Sequence, residues 1–261
     1  MILKRLIFAL LILFSFTSCS SDDDASTPDR RSIEDLEADF QALNLQQGIN
    51  DVTLENLNGS SWNFRVIIPE SASSSERPLV LTLHGAAGGD VDAHKNTACY
   101  AEPGFAALDP IIVSPNGGTQ LWNSAFNQDL VIGLMYLTQK YLNVDRDRTV
   151  VTGYSNGGNG SWFYAEIYPE IFTASIPMAS SYSTFSSNGS VRTIETPLYV
   201  IHGENDELFP LAETQEWVAA TKDAGTNVTL EIAPGLTHYE SCNYAPYLQN
   251  AASWLQDEVW D

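Results

Sequence analysis

The stretch Arg148-Thr149-Val150-Val151-Thr152-Gly153-Tyr154-Ser155-Asn156-Gly157-Gly158 decides how this chain folds. Its first half is β-branched and apolar, the composition of a buried strand. Beyond it, Trp162, Phe163, Ile167 and Tyr168 recur at helical spacing, so Ser155 falls where a strand turns sharply into a helix. The run Gly153-x-Ser155-x-Gly157 suits such a turn, because a cramped backbone at the serine needs small residues on either side. A hydroxyl held there projects from the sheet edge beside the free N–H groups of a helix start, which favour a developing negative charge. Ser155 is therefore the candidate nucleophile, and the Asn156 N–H a candidate donor to the attacked carbonyl oxygen. A Gly-rich and Ser-rich chain also produces this pattern in ordinary loops, so the neighbouring segments must decide.

Those neighbours read as an α/β domain. From Leu79 onward, buried runs at 79–83, 111–113, 149–152, 172–177, 198–201 and 228–232 alternate with helix-length stretches at 129–142, 161–168, 211–224 and 247–260. Such alternation predicts a mainly parallel sheet with helices on both faces and a ligand site at the carboxyl ends of its strands. Ahead of it, 52–57 and 62–68 flank Asn58-Gly59, which predicts an antiparallel hairpin. Ser32-Ile33-Glu34-Asp35 has the form of a capped start for a helix running through Leu43. No second domain boundary follows residue 32, so 32–261 reads as one catalytic domain, and its 44% hydrophobic content supplies a sizeable core.

Each further candidate closes one of the buried runs. His84-Gly85-Ala86-Ala87-Gly88-Gly89 is poor in side chains; it reads as a plain turn or as a loop whose Ala86 N–H is the second oxyanion donor beside Asn156. His202-Gly203-Glu204-Asn205-Asp206-Glu207 crowds carboxylates at another strand end. Asp206 is the candidate to orient an imidazole, with Glu204 and Glu207 as runners-up. Of the four histidines, His238 follows the last strand run and is the natural base; His84 and His202 read as loop-shaping and His94 as a surface residue. The chain order Ser155, Asp206, His238 is the order of an α/β-hydrolase. No metal or other cofactor is expected, since the histidines lack zinc spacing. Trp122 and Tyr239 are candidates to stack on a substrate ring. The Ser-rich stretch 178–193 leaves no room for a large lid.

HGAAGG at 84–89, VTGYSNGG at 151–158 followed by Trp162 and Tyr168-Pro169-Glu170-Ile171-Phe172, HGENDELFP at 202–210 and GLTHY at 235–239 carry a resemblance. Over roughly residues 60–258 the chain resembles the α/β-hydrolase esterases related to feruloyl and acetylxylan esterases (carbohydrate esterase family 1), polyhydroxybutyrate depolymerases and predicted peptidases. The resemblance implies Ser155, Asp206 and His238 as a triad. Asn156 stands where many of that group have Met or Ala, which changes pocket polarity and keeps the N–H.

The start of the chain speaks to location. Lys4 and Arg5, the apolar run Leu6 to Phe16 and small residues before Cys19 form the layout of a secretory signal over 1–18. Phe16-Thr17-Ser18-Cys19 resembles the lipobox of bacterial lipoproteins, with Phe16 in place of the usual Leu. That makes Cys19 the expected lipidation site, 19–31 a flexible acidic linker, and the lipid the only contact with membrane. Ser20-Ser21-Asp22-Asp23-Asp24 resembles the surface-export signals of some Gram-negative lipoproteins, which places the chain on the outer membrane facing outward; secretion or a periplasmic location is the alternative. In an exported chain Cys99 and Cys242 are expected to form a disulfide. With 33 acidic residues against 12 basic ones, nucleic acid is excluded as a partner. The reading is a serine-dependent ester hydrolase acting on acylated polysaccharide. A serine peptidase of the same fold and a catalytically dead carbohydrate-binding lipoprotein are the alternatives.

Overall fold

Alternation along a strand sends Leu79, Leu81 and Leu83 to one face of the sheet and Val80 to the other, and a separate core forms on each side. The structure, a computed structural model, describes residues 31–260. The signal segment, Cys19 and all of the linker except Arg31 lie outside the described residues.

The strands are β1 Gly48–Glu55, β2 Ser61–Ile68, β3 Arg77–Leu83, β4 Ile111–Pro115, β5 Val144–Tyr154, β6 Ala174–Met178, β7 Leu198–Gly203 and β8 Val228–Ala233. They form one sheet in the order β1-β2-β4-β3-β5-β6-β7-β8. From β4 to β8 every pairing is parallel, while β2 is antiparallel to both β1 and β4. The helices are α1 Ile33–Ala42, α2 Ala98–Phe105, α3 Ala125–Tyr141, α4 Asn156–Ile167, α5 Leu211–Asp223 and α6 Ala245–Trp254. Leu36 and Phe40 of α1, Leu130 and Leu134 of α3 and Tyr164 of α4 pack on the Leu81 face. Tyr100 and Phe105 of α2 and Leu248 and Trp254 of α6 pack on the Val80 face. Val218 of α5 joins Trp162 of α4 over Leu198 and Val200. This is the expected α/β-hydrolase architecture.

The local signals hold where they rest on hydrogen bonding. Ser32 and Asp35 form a reciprocal capping box on α1. Glu37 then accepts hydrogen bonds from Lys140, Tyr136 and Tyr141 of α3, and those donors hold its carboxyl down at about 2. In the turn between β1 and β2, Gly59 takes a left-handed φ of 80°, and its N–H closes the turn on the Asn56 carbonyl.

Two expectations are corrected, and one helix forms where the sequence reading placed none. The run 228–232 is less buried than expected, because β8 is an edge strand and only Val228 and Ala233 are covered. Residues 98–105, outside the helical stretches read from the sequence, form α2 although Pro103 and Gly104 lie within it. Packing of Tyr100, Ala101 and Phe105 against α6 overrides the propensity. His94 is not a surface residue: it is 3% exposed, in a short helical turn whose carbonyl accepts from Ser114 at 2.7 Å and Thr97 at 3.2 Å.

Cys99, on the first turn of α2, is bonded to Cys242, just past His238, across 143 residues of sequence. The bridge spans almost the entire parallel sheet, so it restricts the unfolded chain strongly. The paired substitution Cys99→Ser with Cys242→Ser is expected to lower unfolding free energy by about 2–4 kcal/mol, measured by denaturant titration without reductant; an unchanged midpoint and slope would contradict it.

Candidate active site

β5 pairs with β3 so that Gly153 lies level with Leu83, and the segments leaving both strands meet at their carboxyl ends. β4 lies on the other side of β3, which makes this a point where the chain path reverses, the place where open α/β sheets bind ligands. At the turn, Ser155 adopts φ 57°, ψ −119°, a conformation a side chain tolerates only when its surroundings enforce it. Enforcement comes from close contact: a Cβ at Gly157 would lie 2.0 Å from the Leu83 carbonyl oxygen, and one at Gly153 would lie 2.3 Å from the Gly157 carbonyl oxygen. The Ser155 N–H donates to the Met178 carbonyl at 3.0 Å, and the Ser155 carbonyl accepts from Asn159 at 3.0 Å, so the strained residue is secured on both sides.

The two other predicted groups converge on it. His238, in the loop after β8, has Nε2 2.9 Å from Ser155 Oγ and Nδ1 2.8 Å from Asp206 Oδ2. Since a carboxylate only accepts, Nδ1 carries the proton and Nε2 is free to accept from the serine hydroxyl. The other Asp206 oxygen accepts from the N–H groups of Leu208 at 2.9 Å and Phe209 at 2.8 Å. Burial pushes the Asp206 carboxyl up, but the hydrogen bonds from His238, Phe209 and Leu208 outweigh it and hold the group below its ordinary value. The carboxylate stays charged facing the imidazole.

The runners-up for the acid have a different task. Glu207 accepts the His238 N–H at 2.9 Å and Glu204 accepts the Gly235 N–H at 2.9 Å, so both position the histidine loop. Tyr154 completes this clamp by donating its hydroxyl to the His238 carbonyl. Burial pushes the Tyr154 phenol up, which keeps it a donor. Nothing in the sequence flags Tyr154, because the residue before the serine in this motif is variable.

On the oxyanion side, Gly85 packs against Ser155: a Cβ there would meet the Ser155 Cβ at 3.4 Å. Ala86 and Asn156 line the same cleft as Ser155, and among the described residues neither N–H donates to a protein acceptor. His84 shapes this loop as expected: Nδ1 donates to the Gly85 carbonyl at 2.6 Å and Nε2 accepts the Gly117 N–H at 2.9 Å. His202 likewise donates Nε2–H to the Phe209 carbonyl at 2.8 Å. Burial lowers both imidazoles, which keeps them neutral at neutral pH.

Trp122 is a correction. It is 2% exposed, donates its Nε1–H to the His84 carbonyl at 2.9 Å and packs on Gly117 and Gly160. No substrate ring can stack on it, because the protein already covers it. Tyr239, at 72% exposure, stands edge-on to His238 with ring centres 5.8 Å apart and does face solvent. Among the described residues no helix is inserted between β6 and β7, so Ser155 opens onto a cleft of about 500 Å³ bounded by Ala86, Gly118, Leu121, Asn156 and Phe209.

A model of the dienelactone hydrolase family matches residues 64–256, which contain the whole of this constellation. The chain belongs to the dienelactone hydrolase family. No curated protein sequence matches this chain. Among solved structures it is similar to a thermostable esterase, with TM-score 0.64 and 20% identity over 80% of this chain, and it spans 62% of that esterase's length. A fluorophosphonate-binding serine hydrolase of Staphylococcus aureus superimposes with TM-score 0.66 at 13% identity, over 82% of this chain and 100% of that one. A ferulic acid esterase does so with TM-score 0.59 at 20% identity, over 80% and 98%. These likenesses confirm the α/β-hydrolase fold.

Two measurements check the site's construction. Trp122→Ala is expected to lower stability by about 3–5 kcal/mol, in contrast to a change in KM alone, which a substrate platform would give. Because the folded Asp206 carboxyl titrates below its ordinary 3.8, its contribution to stability is complete above that pH and is lost as pH falls through the folded value. Asp206→Asn is therefore expected to lower Tm at neutral pH, the gap to wild type closing only below pH 3.8; a gap independent of pH would contradict the assignment.

Proposed function

We propose that this protein is a serine-dependent carboxylic ester hydrolase that removes acyl groups, acetyl or feruloyl, from polysaccharide. The observation that carries the reading is the unbroken path from Asp206 through His238 to Ser155, at 2.8 Å and 2.9 Å. His238 Nε2 takes the Ser155 proton as Oγ adds to the ester carbonyl. The Ala86 and Asn156 N–H groups receive the resulting oxyanion. Collapse breaks the bond to the alcohol oxygen, which leaves with the proton from His238, and the acyl group stays on Ser155. Water then gives its proton to His238 while attacking the acyl carbon, the acid departs, and the proton returns to Ser155. Throughout, Asp206 stabilises the transient imidazolium without taking its proton.

The open cleft supports a bulky, water-exposed substrate, since among the described residues no helix is inserted between β6 and β7 to enclose an alkyl chain above Ser155. The proposal includes a lipid anchor at Cys19 on the outer membrane facing outward, supported by the apolar run before it and the acidic tract after it. An enzyme held there meets polymer outside the cell.

Wild-type protein is expected to hydrolyse para-nitrophenyl acetate and methyl ferulate faster than peptide anilides. Ser155→Ala is expected to reduce ester turnover by about 10⁶-fold with an unchanged circular-dichroism spectrum. Undiminished turnover by Ser155→Ala, or preference for the amide, would refute the reading.

A further inference from the structure

Beside the catalytic cleft lies a second cleft of about 300 Å³, continuous with it along Leu121, Asn156 and Asn159. It runs between the start of α4 and α5, and its lining is chemically distinctive. Three carboxamides, Asn123, Asn156 and Asn159, face it together with the Trp217 ring and Ser181. Among the described residues none of the three carboxamides is engaged with protein, and Asn159 Oδ1 is buried without a partner. Buried polar atoms without partners are uncommon, and each is costly until something pairs with it. Among the described residues no charged side chain lines the cleft, so it offers no opposite charge to a carboxylate, phosphate or ammonium group.

A carboxamide both donates and accepts, as a hydroxyl does. Three of them converging without charge therefore match an uncharged group bearing several hydroxyls. Trp217 is half-buried on α5 and supplies the flat apolar surface on which the C–H face of such a ring can rest. Tyr182, which also lines the cleft, is held in place. Tyr182 stacks on Trp162 with ring centres 5.8 Å apart and planes 5° apart and donates to Glu166 at 2.5 Å. Arg192 grips the same carboxylate through both Nε and Nη2. Preorganised walls reduce the entropy lost when a ligand is ordered.

We infer that this carboxamide-lined cleft is the subsite for the sugar portion of the ester, with Asn159 and Trp217 as its specificity-determining residues. The inference rests on the ester-hydrolase reading and adds the alcohol side of the substrate: an uncharged pyranose or furanose ring, seated next to the nucleophile because Asn156 borders both clefts. A site built to bond hydroxyls discriminates strongly against a substrate lacking them, since its polar groups are then left unpaired.

The test compares kcat/KM for a mono-acetylated methyl xyloside with that for para-nitrophenyl acetate, which has no hydroxyl. Asn159→Ala and Trp217→Ala are each expected to lower the ratio of sugar ester to aryl ester by roughly ten-fold or more, mainly through KM, while Trp217→Phe, which keeps a ring, retains most of it. A folding defect would depress both esters together and leave the ratio in place. A ratio unchanged in both alanine variants, or cyclohexyl acetate hydrolysed as well as the sugar ester by wild type, would overturn the subsite. Wild-type protein inert towards every ester would instead bring down the hydrolase reading, and this inference with it.

Discussion

The structure depends on the contact between the start of α4 and the end of β3. Main chain meets main chain there, with room for nothing larger than hydrogen at Gly157 or Gly153. That closeness forces Ser155 into a backbone conformation of the kind that costs on the order of 1–3 kcal/mol. The strain is sustained because β5 and β3 are both fully buried through this region and because the Met178 carbonyl receives the Ser155 N–H. It also dictates topology: α4 can press on β3 only if β3 and β5 are neighbours, and their adjacency brings the Ala86 loop against the serine.

The imidazole presents a different problem, because it arrives on a loop from the edge strand β8. Edge segments have fewer packed neighbours and move more readily, yet a general base must stay within hydrogen-bond reach. The chain solves this with polar contacts between loops. Asp206 holds the ring, Glu207 and Glu204 hold the main chain around it, and Tyr154, adjacent to the nucleophile, takes the His238 carbonyl. The bridge between Cys99 and Cys242 fastens the segment beyond. Part of the acidic excess is therefore structural: Asp206, Glu204 and Glu207 accept main-chain N–H groups at the site.

Aromatic residues at the site divide by what covers them. Trp122 sits under the oxyanion loop and fixes it through the His84 carbonyl, so its effect on chemistry passes through the loop. Trp217 is the sole aromatic residue of α5, and it borders an open cleft. Identity and spacing of the two tryptophans do not distinguish them; exposure does.

The sequence by itself determined the alternation of strands and helices, the capping box at Ser32 and Asp35, and the order of nucleophile, acid and base. These are legible because they rest on short-range rules: side-chain periodicity, the hydrogen bonds of a helix start, and small residues required at a tight turn. Only the tertiary structure decided that residues 98–105 form a helix, that His94 and Trp122 are buried, and that Glu204, Glu207 and Tyr154 hold the histidine loop. It also brought Asn123, Asn156, Asn159 and Trp217 to one cleft from three separate segments. Each of these outcomes depends on contacts between residues far apart in the chain, where packing overrides local preference and a residue's type carries no record of what will lie against it.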